Sequence, residues 1–249
     1  MTGPPPEVSI LIPAFNEKPH VAATVRGALA ALEAQGLSFE IVVVDDGSTD
    51  GTAAAVTAVM QTDPRIALVC HHRNRGLGAS YCTGVEAAGG RYVTWLQGDD
   101  AIQPESLTAM IEARHLAPIV IAYPVFDRPR PMLRTLLSVS YVRLMNALCG
   151  GRVRYFNCIT LMRRDLLLEV LPRNNHGFGV FAEILVRLLR AGHGYVEVPI
   201  TSRSRPMERS KAFRWRNVVS VCGQTVCLWW SVRGQPLVPP AAGAPEPPE

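Results

Sequence analysis

Phe39-Glu40-Ile41-Val42-Val43-Val44-Asp45-Asp46-Gly47-Ser48-Thr49-Asp50-Gly51-Thr52 is the stretch on which the fold turns. Phe39–Val44 is rich in β-branched residues and shows no polar alternation, the pattern of a strand buried on both faces of a parallel sheet. The run ends on two adjacent carboxylates, which do not belong in a core. Ser48 to Thr52 then offers helix-capping side chains for a helix through about Met60, with Asp46 or Ser48 expected as the cap. A strand that hands polar residues into a helix start is the opening of a βαβ unit.

The same rhythm extends in both directions. Upstream, Val8–Pro13 reads as a strand, and His20–Gln35 as a helix with Val21, Val25, Leu29 and Leu32 on one face and Gly36 as its stop. Downstream come a strand at Ile66–Cys70, a helix at Ala79–Ala88 and a strand at Tyr92–Leu96. A helix at Pro104–Arg114, with proline in its first turn, and a strand at Ile119–Tyr123 follow. The class is therefore α/β: a Rossmann-like, mostly parallel sheet flanked by helices. Ligands of such sheets bind beyond the carboxyl ends of the strands, at Pro13–Glu17, Asp45–Asp50, His71–Gly78 and Gln97–Gln103.

After Pro131 the spacing changes. Met132–Cys149 predicts one long helix, Cys158–Met162 a strand, Phe181–Ala191 an amphipathic helix and Tyr195–Ile200 a last strand. Asn217–Trp230 predicts an apolar helix too interrupted to span a bilayer, and the Pro-rich residues from Pro236 predict a disordered tail. The chain contains no internal repeat, and Met1–Glu7 lacks the basic and apolar regions of a secretory signal.

With 48% hydrophobic and 18% charged residues, the 249-residue chain is no disordered protein. Its six cysteines form no Cys-x-x-Cys and no zinc pattern, and read as reduced thiols of an intracellular protein. The formal net charge is +4, but Thr201–Arg216 alone carries six basic residues against Glu208, or +5, leaving −1 elsewhere. That segment suits an anionic partner. It carries few interleaved aromatics, which argues against a nucleic acid.

Asp45 and Asp46 at a strand end can accept hydrogen bonds from a base or ribose. Asp99 and Asp100 in Gln97-Gly98-Asp99-Asp100 can supply the carboxylates that Mg2+ or Mn2+ takes beside phosphate oxygens. The alternative for that stretch is a plain turn before the helix at Pro104. Arg75-Gly76-Leu77-Gly78 lacks the third glycine of a dinucleotide loop, yet a helix N-terminus there can hold a phosphate. Glu183 is either a first-turn partner of the helix dipole or an active-site carboxylate, and His176 reads as a loop residue.

Taken together, these motifs resemble the family 2 glycosyltransferases of GT-A fold, in particular the dolichol-phosphate mannose synthase and polyprenyl-phosphate glycosyltransferase branch. The resemblance runs from about Val8 to Lys211 through Pro13-Ala14-Phe15-Asn16-Glu17, Val44–Thr52 and Asn74-Arg75-Gly76-Leu77-Gly78-Ala79. It implies a GT-A domain at 8–212, preceded by a flexible N-terminus at 1–7. A C-terminal amphipathic helix at 213–233 and a tail at 234–249 follow the domain. Pro13, Phe15, Glu17, Asp45 and Asp46 are then nucleotide contacts, and Asp99 with Gln97 the metal site for Mg2+ or Mn2+. Gln97 stands where the family has the first aspartate of Asp-x-Asp. Arg205, Ser210 and Lys211 match a phosphate-closing loop in which Glu208 replaces a glycine, and Arg128 and Arg134 fall in a second basic loop.

The implied reaction is an inverting transfer from a UDP- or GDP-sugar to a polyprenyl phosphate, an acceptor that needs no base. A soluble hydroxyl acceptor is the alternative, with Asp100 or Glu183 as base. A catalytically inactive nucleotide-sugar-binding protein is the alternative from another class. Arg214-Trp215-Arg216 and Trp229-Trp230 suggest peripheral contact with the inner face of the membrane by a cytoplasmic protein.

Overall fold

The computed structural model describes residues 4–98, 104–125, 132–172, 177, 179–201, 223, 225 and 228–230, without the side chains of 133 and 134. Seven strands form one sheet in the order β3-β2-β1-β4-β6-β5-β7. They are β1 (Val8–Ala14), β2 (Phe39–Asp45), β3 (Ile66–Cys70), β4 (Tyr92–Trp95), β5 (Ile119–Pro124), β6 (Thr160–Arg163) and β7 (Tyr195–Ile200). Every residue of β1, β2 and β4 is buried, which is why these segments read as unbroken apolar runs. All pairs are parallel except those made by β6, which runs antiparallel to both β4 and β5.

The helices are α1 (Val21–Glu33), α2 (Thr52–Met60), α3 (Leu77–Ala87), α4 (Pro104–Glu112), α5 (Met132–Cys149), α6 (Arg164–Val170) and α7 (Val180–Arg190). α1 packs with α2 and α4, while α3, α6, α7 and α5 pack in succession. Right-handed crossovers account for the division: the chain steps from β1 to β3 in one direction, and α3 carries it back across β1 to β4 in the other. Between β1 and β4 the strand order therefore reverses, and their carboxyl ends open into a crevice.

The expected elements are present, with three adjustments. α6 has no counterpart in the periodicity reading, because seven residues directly after a strand give too short a window. β6 starts at Thr160 rather than Cys158, where pairing with β4 and β5 begins. Helical residues occur at Gly223, Thr225 and Leu228–Trp230 inside the expected Asn217–Trp230 segment. Leu228 is buried in the core, and Trp229 and Trp230 are exposed. Among the described residues, no helix is long and apolar enough to cross a membrane.

Candidate active site

Three loops meet at the carboxyl ends of β1, β2 and β4. Register pairs Ala14 with Asp45, so the first two loops leave the sheet side by side. The N–H of Asp46 donates to the Ala14 carbonyl at 2.8 Å, and the N–H of Leu96 to the Leu11 carbonyl at 2.8 Å. Gly98 lies against the same strand: a Cβ there would stand 3.3 Å from Ala14 Cβ and 3.4 Å from the Pro13 carbonyl oxygen. Pro13, Ala14, Asp45 and Asp46 are buried, Glu17 is half-buried, and Phe15 and Gln97 are exposed.

The β1 loop is sewn to the β2 loop by polar groups that the sequence shows as a motif. Asn16 adopts a left-handed backbone, tolerable for asparagine. Its N–H donates to Ser48 Oγ at 2.9 Å, and its Oδ1 accepts the Thr49 N–H at 3.0 Å. The Glu17 N–H donates to Thr52 Oγ1 and the Lys18 N–H to Asp50 Oδ2, both at 3.0 Å. Asp50 also accepts the Thr52 hydroxyl at 2.6 Å and the Thr52 N–H at 2.9 Å. The Thr52 hydroxyl is the main reason the Asp50 carboxyl sits below its ordinary pKa. Asp50, and neither Asp46 nor Ser48, thus satisfies the first N–H of α2. The cap position itself is Gly51, in a left-handed conformation with no side chain to offer.

The two adjacent aspartates have different surroundings. Asp46 Oδ1 accepts the Arg75 N–H at 2.9 Å and Oδ2 the Gly76 N–H at 2.8 Å. His71 Nδ1 lies 2.7 Å from Asp46 Oδ1, and His71 Nε2 lies 3.0 Å from Thr83 Oγ1 on α3. A carboxylate only accepts, so Nδ1 carries the proton, and in the neutral ring the Thr83 hydroxyl donates to Nε2. Asp46 therefore locks the β3–α3 loop to the β2 loop. Gly47 makes the lock possible, since a Cβ there would lie 2.6 Å from the Arg73 carbonyl carbon, at φ +73°. Among the described residues, Asp45 Oδ1 accepts the Ser48 N–H alone, at 3.3 Å.

The floor of the crevice is aromatic. Trp95 at the end of β4 stacks on Phe181 of α7 with centroids 4.1 Å apart, and Tyr81 of α3 meets both rings edge-on. This stack brings the first turn of α7, and with it Glu183, to the β4 end of the sheet. Arg187 Nη2 donates to Glu183 Oε1 at 2.8 Å. Glu183 also stands near the Cys82 thiol, which is pushed up to about 11 by burial first and then by Glu86 and Glu183. Trp95 Nε1 is buried and without an acceptor among the described residues.

Of the expected site residues, Pro13, Phe15, Glu17, Asp45, Asp46 and Gln97 gather at these loops, and Glu183 stands on the neighbouring helix. Arg134 lies in the first turn of α5, its side chain outside the described residues. Asp99, Asp100, Arg128, His176, Arg205, Ser210 and Lys211 also fall outside them. Among the described residues, no group of three or more His, Cys, Asp and Glu could hold a metal ion. His71 and Trp95 were not singled out from the sequence. A histidine directly after β3, one strand from Asp46, was the available signal for the first.

Strand order, the antiparallel β6 and the crevice at the switch point define a GT-A fold, an α/β architecture of the nucleotide-binding kind. The model of glycosyl transferase family 2 matches residues 9–171, and the chain belongs to that family. The succinoglycan biosynthesis protein ExoO of Rhizobium meliloti is 32% identical over 189 residues, covering 73% of this chain and 48% of that protein. The undecaprenyl-phosphate 4-deoxy-4-formamido-L-arabinose transferase of Edwardsiella ictaluri is 25% identical over 205 residues, covering 82% of this chain and 62% of that one. The chain thus spans about half to six tenths of the length of these two relatives. A crystal structure of Mycobacterium tuberculosis glucosyl-3-phosphoglycerate synthase, with Mn2+, uridine diphosphate and phosphoglyceric acid, superposes with a TM-score of 0.69 at 20% identity. That match covers 93% of this chain and 80% of the other, and it speaks for the fold alone.

Proposed function

We propose that the protein transfers a sugar, with inversion, from a UDP- or GDP-sugar to a polyprenyl phosphate at the inner face of a membrane. The observation that carries the donor half is the convergence of Pro13–Glu17, Asp45–Ser48 and Gln97–Gly98 at one switch point. Pro13, Phe15, Glu17 and Asp45 are the nucleotide contacts in this reading. Asp46 holds the Arg75-Gly76 backbone in place behind them. Uridine diphosphate in the similarly folded synthase favours a UDP-sugar.

Asp99 with the amide oxygen of Gln97 would hold Mg2+ or Mn2+, which neutralises charge on the departing diphosphate. Both groups offer the hard oxygen donors such ions take, and the remaining positions fall to phosphate oxygens and water. Arg128, Arg134, Arg205, Ser210 and Lys211 are assigned to the phosphates of donor and acceptor in this reading. A phosphate monoester acceptor is already an anion, so Asp100 and Glu183 need not serve as base. The ion pair from Arg187 to Glu183 fits a positioning carboxylate better than a proton acceptor. The named acceptor of the undecaprenyl-phosphate transferase relative and the exposed Trp229 and Trp230 support the lipid.

The test is a thermal-shift screen of nucleotide diphosphate sugars with and without Mn2+. Stabilisation by a UDP or GDP compound that weakens on Asp99→Ala is expected. Absence of a shift with every such nucleotide refutes the donor site, and stabilisation without transfer to any prenyl phosphate or hydroxyl acceptor leaves a binding protein.

A further inference from the structure

Two hydrogen bonds join parts of the chain to which the reading above gives separate tasks. Ser106 Oγ donates to the Thr201 carbonyl oxygen at 3.1 Å and accepts the Thr201 N–H at 3.1 Å. Ser106 stands in the first turn of α4, where a serine side chain can bond its own backbone. It reaches instead to a residue 95 positions away, and it is buried. A hydroxyl has a single donor hydrogen, so Ser106 commits that hydrogen and a lone pair to one residue, as a neighbouring strand would. Both partners are seated by the core. Leu107, Met110 and Ile111 are buried, and α4 packs on α1, β5 and β7. Ile200, the last residue of β7, is buried, and its carbonyl accepts the Val125 N–H at 2.9 Å. Thr201 is thus the point at which the chain leaves the sheet. Gln97–Gln103 runs directly into Pro104, the first residue of α4, and Arg205 follows Thr201 by four residues.

We infer that Ser106 is a positioning residue for the diphosphate: it fixes the root of the basic segment against α4, the helix that the Gln97–Gln103 stretch enters. The metal side and the arginine side of the leaving group are then referred to one fixed point. The inference rests on the nucleotide-sugar reading above and deepens it. Satisfying the Thr201 peptide groups does not by itself call for a serine, because Thr201 is exposed and water is at hand. What the side chain adds is place. Four residues of chain reach about 13 Å when extended, so the root of the segment limits where Arg205 can act. Charge-assisted bonds to a phosphate gain most when their donors are held in geometry beforehand.

Calorimetric titration of the full chain with UDP in the presence of Mn2+ tests it, beside uridine, which lacks the diphosphate, measured by competition. GDP and guanosine replace them if the wild type takes guanine instead. Ser106→Ala should weaken UDP binding about tenfold and leave uridine within about twofold, since no bond ties Ser106 to Pro13–Glu17 or Asp45 among the described residues. Ser106→Thr, which keeps the hydroxyl, should stay within about threefold of the wild type. In a double-mutant cycle, Ser106→Ala with Arg205→Ala should bind UDP no more than about twofold worse than Arg205→Ala alone, because both changes act through one contact. Equal UDP affinity of wild type and Ser106→Ala overturns the proposal, and so does the absence of rescue by Ser106→Thr. A parallel loss for uridine, or full multiplication of the two losses in the cycle, overturns it in favour of a general defect of the fold. If Arg205→Ala binds UDP like the wild type, the route through Arg205 is refuted and the proposal with it. A wild type that binds neither UDP nor GDP sinks the donor reading itself. A wild type that binds one of them, with Ser106→Ala its equal, sinks only the role of Ser106.

Discussion

Asp45 and Asp46 share a backbone and divide the work of the site between them. Asp46 takes two backbone N–H groups and the His71 ring, so it is a buried charge satisfied by the protein itself. Asp46→Asn turns a donor toward donors and should cost about 3 kcal/mol in urea unfolding, because hydrogen bonds to a buried charge are the expensive ones to lose. Asp45→Asn should leave stability within about 1 kcal/mol and weaken UDP binding about tenfold by calorimetry, the size of one ligand hydrogen bond. His71 offers a directional check. Asparagine at 71 can place its amide N–H where Nδ1 stands, whereas glutamine mimics Nε2. His71→Asn should therefore keep the KM for donor within about threefold, and His71→Gln should raise it about tenfold, the loss of one positioned charge-assisted hydrogen bond. Equal kinetics for the two variants would show that His71 only fills space. Gly47→Ala meets the Arg73 and Asn74 backbone at under 3 Å from a left-handed position, and a loss of at least about 2 kcal/mol is expected in the same unfolding assay.

At the scale of elements, α7 is the joint between the two halves of the sheet. Its Phe181 ring lies flat on Trp95 while its buried face closes over α5 and α6. Phe181→Ala should destabilise by about 3–5 kcal/mol, measured by chemical denaturation, as a large aromatic leaves a cavity. The same change frees Trp95 to tilt, so a shift in tryptophan emission should accompany it. Glu183 was ambiguous in the sequence, between a helix-dipole partner and a reacting group. Both carboxylates and first-turn positions look alike in a string of residues. The i, i+4 ion pair with Arg187 lies within α7, whereas the proximity of Cys82 is a fact of packing against α3 that only the folded chain contains. The capping of α2 shows a similar limit. Ser48, Asp50 and Thr52 were all plausible caps by residue type. The β1 loop recruits Ser48, Thr52 and the Oδ2 of Asp50, and Asp50 Oδ1 holds the helix start.

For the molecule as a whole, the parallel half of the sheet was legible because its inner strands β1, β2 and β4 are buried along their whole length and alternate with helices. Period, length and turn residues all agree there, as in β1 and β2, where the local signals and the fold do not compete. β6 was recognisable as a strand but not as the antiparallel one, since direction depends on which neighbours a strand finds. The motifs from Pro13 to Gly78 determined by themselves that the chain follows the family 2 pattern. They did so because tight turns, left-handed glycines and polar strand ends are local requirements that only a few residue types meet. Which aspartate takes its partners from the β3–α3 loop, and that His71 is one of them, were decided by tertiary structure alone. The partners of Asp46 stand 25 to 30 positions away, and no local pattern encodes what another element will bring.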